Sequence, residues 1–192
     1  MKEERLPFME IKGIPLSRGA VFPLTRLKIE PMEIGYNGVL MIFSCKKQFI
    51  AIGDVCFHST PSHLKGSNYL SADTAVKKMI DQISKHQENE TDSLDGLQAI
   101  LLGGCNAIIG RSAKKNHDSQ LDIGLRIIQG LEMGLDSAKI PVFYQLTGGD
   151  HIKTFRIWEN RTFIYEEVYN KRKPNVVEIK IDTESAKVIK TD

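Results

Sequence analysis

Cysteine is scarce in this chain: 192 residues hold three, and no Cys-x-x-Cys pair is among them. That excludes a disulfide framework and a four-ligand zinc site, and fits a reducing compartment. No apolar run approaches the ~20 residues of a membrane span. The first residues, MKEERLPFMEIKG, are charged and lack the apolar region of a secretory signal. Neither sign of charge dominates: Lys+Arg of 26 against Asp+Glu of 24 leaves a formal +2. Nucleic-acid or anionic-membrane binding driven mainly by charge is therefore not expected. The short basic clusters Lys114-Lys115 and Lys171-Arg172-Lys173 read as solvated loops. The glycine pairs Gly103-Gly104 and Gly148-Gly149 lack the following Lys-Ser/Thr of a phosphate loop. They read as strand ends that need a close approach or a positive φ. The expectation is a soluble, cytoplasmic protein of one domain, long enough to bury about 70% of its unfolded surface.

What is present is mostly strand-length apolar runs. Val39 to Phe43 and Phe49 to Ile52 are rich in β-branched or aromatic residues, and Leu97 to Leu102 and Pro141 to Leu146 also read as strands. Thr154 to Trp158 and Thr162 to Tyr169, around Asn160-Arg161, alternate as a hairpin does, and Val176 to Val188 reads as a further hairpin or a loosely attached tail. Two helices are expected. The first opens with Ser71 as cap and runs on Val76, Met79, Ile80 and Ile83; the second spans about Leu121 to Met133, with Gly134 where a left-handed C-terminal cap belongs. Residues 1–35 carry Pro7, Pro15, Pro23 and Pro31 and read as an irregular segment with edge strands. Residues 36–170 form the main domain, and 171–192 a C-terminal strand or tail. Strands outnumber helices without regular alternation, which is an α+β pattern.

The chemistry is placed in Gly38 to Pro61, GVLMIFSCKKQFIAIGDVCFHSTP. Ser44-Cys45 ends one apolar run and His58 follows the next, and a cysteine with an adjacent histidine makes a thiolate nucleophile with its base. The plain reading of Cys45 is a buried inert thiol. Cys56 and Cys105 read as structural. Cys56, His58 and His63 match no standard metal-ligand spacing. His63, His86, His117 and His151 read as surface histidines, and Trp158 and Tyr165 as hairpin packing or surface residues, not stacking platforms for bases.

The order of motifs resembles the chemoreceptor glutamine deamidase family, CheD. The residues concerned are Tyr69 with Ala72-Asp73-Thr74-Ala75-Val76, then Ala99 to Asn106, Ile123-Gly124-Leu125-Arg126, and Thr147-Gly148-Gly149-Asp150 followed by Thr154 to Ile157. The resemblance implies a β-sandwich of mixed strands with two main helices packed on one side. It also implies hydrolysis of receptor glutamine side chains to glutamate, with Cys45 as nucleophile and His58 as base and with neither cofactor nor metal. In that chemistry a thiolate attacks the amide carbonyl, the imidazolium protonates departing ammonia, and water cleaves the thioester. The partners it implies are methyl-accepting chemotaxis receptor helices and a CheC-like phosphatase, with no nucleic acid and no membrane insertion. Val39 stands where the family has a threonine that orients the histidine, and counting back from Pro61 puts Phe57, not His58, at the histidine's place. The second reading is therefore a catalytically degenerate binding module that docks a receptor or a CheC-like phosphatase.

Overall fold

The computed structural model describes residues 9–11, 19–24, 27–44, 46, 48–59, 70–86, 96–105, 118–149, 152–159, 161–166, 175–182 and 187–191. In chain order the elements are β1 (Met9–Ile11), β2 (Ala20–Pro23), β3 (Leu27–Ile34), β4 (Gly38–Ser44), β5 (Phe49–Val55), α1 (Ala75–His86), β6 (Leu97–Gly103), α2 (Asp118–Ser137), β7 (Val142–Thr147), β8 (Lys153–Trp158), β9 (Arg161–Glu166), β10 (Asn175–Asp182) and β11 (Lys187–Thr191). They form a six-stranded sheet, β1-β3-β8-β9-β10-β11, and a five-stranded sheet, β2-β5-β4-β6-β7. This is the expected α+β class.

Side-chain alternation sorts the core into two layers. Val39, Met41 and Phe43 of β4 join Ile50, Ile52, Ile100 and Leu102 against Ile29, Phe155, Ile157, Ile164 and Ile179 of the other sheet. Leu40 and Ile42, on the opposite face of β4, join Ala51 and Leu101 against Val76, Met79 and Ile83 of α1 and Ile127 and Leu131 of α2. The five-stranded sheet is thus the middle layer, with both helices on one side and the six-stranded sheet on the other. A strand buried on both faces has few positions for water, which explains the largely apolar sequences of β4, β5 and β6. β8 buries every second residue instead, because its other face meets solvent.

Strands near both ends of the described chain join the sheets. β1 and β2 are edge strands, but β3 is interior, paired with β1 on one side and β8 on the other. Its Pro31 sits at the register shift between Ile29 and Met32, where a missing N–H costs no ladder bond. At the other terminus β10 and β11 complete the six-stranded sheet and bury Ile179 and Ile181 among the same residues as Ile29 and Phe155. Of the two readings of this stretch, a further hairpin or a tail, the described residues form the hairpin.

Both helices depart from their expected ends. The Ser71 hydroxyl meets the side chains of Asp73 and Thr74, while its carbonyl accepts from the N–H of Thr74 and of Ala75. A turn closed on the Ser71 carbonyl therefore precedes α1. α2 passes through Gly134 and ends at Ser137, and the left-handed residue beyond it is Lys139, at φ 56°. Ile140 N–H then closes on Leu135 C=O across 3.0 Å, and both side chains are buried in one cluster, a Schellman closure with its apolar contact. Gly134 serves packing: a Cβ there would lie 2.8 Å from Val76 Cγ2, and one at Gly130 would lie 2.7 Å from Ala72 Cβ. The two glycines, four residues apart on one face, let α1 and α2 come close.

Candidate functional site

β4 and β5 form an antiparallel hairpin whose register pairs Ser44 with Phe49 at one end and Gly38 with Val55 at the other. His58 lies three residues past Val55. At the usual rise of a strand, β5 alone separates the two ends by about 20 Å. Cys45 lies outside the described residues. Ser44, the described residue before it, is at the turn end of the hairpin. A nucleophile and its base need hydrogen-bond reach, about 3 Å. The register therefore places Ser44 and the start of the segment that carries His58 at opposite ends of β5.

The His58 end carries a different group of polar side chains. The Asp54 carboxylate accepts from Asn37 Nδ2 through Oδ1 and from Cys56 Sγ through Oδ2, the latter across 3.7 Å. Asn37 is in turn fixed by its backbone, whose carbonyl accepts from Gly104 N–H at 2.9 Å. Burial raises the Asp54 pKa against the lowering effect of its bonds to Asn37 and Cys56. Burial, followed by the charge of Asp54 and the bond to it, pushes the Cys56 thiol up to about 12. This is the reverse of an activated cysteine, which needs a positive neighbour. Val39 pairs with Asp54 and is buried between the sheets, a core residue at the place where the resemblance expects a hydroxyl.

His58 itself is exposed. Its carbonyl accepts from Asp73 N–H at 3.3 Å, Phe57 C=O accepts from Ala72 N–H at 2.8 Å, and Phe57 bridges Ser71. The Ala72-Asp73-Thr74 motif thus ties the start of α1 to the segment after β5. Gly103 and Gly104 close the same end from the other side of β4, with Cys105 buried behind them and its Sγ 3.8 Å from Ile34 C=O. Among the described residues, the large apolar side chains of Tyr36, Phe57 and Ile123 are exposed at this end. Tyr36 precedes β4, Phe57 follows its partner β5, and Ile123 adjoins Gly124, where a Cβ would lie 3.1 Å from Tyr36 C=O.

The sequence reading passed over Asn37 and Asp54. Asp54 carried a signal, a carboxylate inside an otherwise apolar strand. Asn37 carried none, since its partner is 17 residues away. His63, His117 and His151 lie outside the described residues. Among the described residues no group of three His, Cys, Asp or Glu side chains is placed to hold a metal, and no helix is long and apolar enough to cross a membrane. No protein-family model matches the chain, and no curated protein matches it. The resemblance to the deamidase family rests on the order of motifs alone.

Proposed function

We propose that this protein is a binding module, not a cysteine-dependent glutamine deamidase, and that it docks a helix of a chemotaxis receptor at the His58 end of the five-stranded sheet. The observation that carries this reading is the exposure of Tyr36, Phe57 and Ile123 at one end of the hairpin, beside a thiol pushed up to about 12. An apolar stripe on a helix is complementary to three such side chains, and rings are favoured anchors in interfaces. The hairpin register supports the non-catalytic half of the proposal, since it separates Ser44 from His58 by the length of β5. The receptor as partner comes from the motif order, with a CheC-like phosphatase as the competing partner from the same source.

The test measures binding and chemistry on one sample. A receptor cytoplasmic fragment is titrated against the protein while ammonia release and Gln-to-Glu conversion are followed by enzyme-coupled assay and mass spectrometry. Binding without ammonia, weakened at least tenfold by Phe57→Ala, an ordinary loss for an anchoring ring, is the expected outcome. Ammonia release abolished by Cys45→Ala would restore the deamidase. Binding only to a CheC-like phosphatase would keep the module and change its partner.

A further inference from the structure

The outward face of the six-stranded sheet is set apart from the docking end by the whole inter-sheet core, and its composition is unusual for a solvated face. Arg156 and Trp158 of β8, Arg161, Phe163 and Tyr165 of β9, and Glu178 and Lys180 of β10 all point away from the core. The register sets them in rows: Trp158, Arg161 and Lys180 lie side by side across three strands, and Arg156, Phe163 and Glu178 form the next row. Arg156 Cζ stands 4.6 Å from the Phe163 ring centroid and 5.7 Å from that of Tyr165, so its guanidinium lies on a ready-made aromatic bed. Lys28 Nζ stands 5.3 Å from the Trp158 ring, and that tryptophan is 49% exposed. None of these rings is needed by the core, which is filled from the other face.

An open pocket of about 400 Å³ lies on this surface, lined by Arg156, Trp158, Glu159, Arg161, Phe163 and Lys180. Its volume is within the range of small-ligand sites, about 300–1,000 Å³. Three cations face Glu159 in the lining, and Glu178 sits 3.5 Å from Arg161. The surplus is one positive charge, which suits a ligand with a single anionic group. A nucleic-acid strand needs a groove of cations along several phosphates. A flat indole and a flat guanidinium offer stacking surface, and an arginine fork beside a lysine matches a phosphate.

Against the plain surface role expected of Trp158 from the sequence, we propose that this pocket binds a small planar anion of the nucleoside monophosphate class, with its ring stacked on Trp158 and Arg156 and its phosphate held by Arg161 and Lys180. The proposal is independent of the docking reading, because it concerns the opposite layer of the fold.

Trp158 is the single tryptophan of the chain, so its fluorescence reports the pocket without background. The protein is titrated with adenosine monophosphate, adenosine, inorganic phosphate and an oligothymidylate series. Saturable quenching by the monophosphate at millimolar concentration or below is expected, with adenosine and phosphate each at least tenfold weaker. Lys180→Gln and Arg161→Gln each weaken it by about tenfold or more, the usual worth of a hydrogen bond to a charged group. Circular dichroism on both variants confirms that the surface change leaves the fold intact. Quenching that stays linear in concentration, or is the same in the double variant, overturns the site. Affinity that grows with each added nucleotide of the oligothymidylates overturns the single-anion ligand in favour of a strand.

Discussion

Cys56 donates its thiol hydrogen to Asp54 Oδ2 across 3.7 Å, so the cysteine nearest to His58 in sequence is paired with a carboxylate. Asp54 takes a second bond from Asn37 and is itself raised by burial. A thiol so placed stays protonated through the neutral range and supplies no thiolate.

Asp54→Asn keeps the shape of the side chain and an acceptor for Asn37 while removing the charge that opposes the Cys56 thiolate. Alkylation of Cys56 with iodoacetamide at mildly alkaline pH, followed by peptide mapping, should accelerate about tenfold for each unit by which the thiol pKa falls. An unchanged rate would mean that burial alone, the largest cause, holds the thiol up.

The same substitution has a signed effect on stability. Folded Asp54 holds its proton above the ordinary carboxylate value of 3.8, so the folded chain binds more protons than the unfolded chain there. The stabilising contribution is present below 3.8 and lost as the pH rises through the raised folded value. Melting temperatures of Asp54→Asn and wild type should coincide in acid and diverge in favour of the variant toward neutrality. Divergence in the opposite direction would show that the ionised carboxylate is stabilising.

His58→Ala should leave the pH profile of Cys45 alkylation unchanged, because the register puts Ser44 and His58 at opposite ends of β5. A rise of the Cys45 pKa in the variant, read from the same peptide-mapping assay, would show an imidazolium close to that thiol and return the pair to catalysis.

Two glycines with similar backbone angles should differ in cost. Gly104 and Gly148 have φ of 63° and 70°, so alanine at either is strained by about 1–2 kcal/mol. At Gly148 a Cβ meets nothing within 4 Å, whereas at Gly104 it runs into Ile128 of α2. Overpacking adds about 1–3 kcal/mol at Gly104 alone. Urea unfolding of Gly104→Ala and Gly148→Ala should show that gap, and equal losses would remove the close approach as a cause.

Ile179→Ala should destabilise by about 2–5 kcal/mol, the cost of a large-to-small change in a closed core. Its side chain is fully buried among residues of β3, β8 and β9. A loss below 1 kcal/mol, small for a buried site, would make the C-terminal hairpin the dispensable tail that its sequence suggests.

By itself the sequence determined most elements from β4 onward, but not the interior strand β3. β4, β5 and β6 stand out as largely apolar runs because both of their faces are buried, β8 and β9 alternate because one face meets water, and the apolar spacing of α1 marks the face that packs on Ala51 and Leu101. These signals are local, set by the periods of strand and helix over a few residues. The closeness of β4 and β5 along the chain was also legible, since only four residues separate Ser44 from Phe49. The tertiary structure alone decided the rest. Gly134 lies within a helix because Val76 of another helix presses on it, and β10 and β11 belong to the core because β9 offers them an edge. Asp54 meets Asn37 across 17 residues. Each of these depends on a neighbour distant along the chain, and no residue's own backbone preference records who that neighbour is.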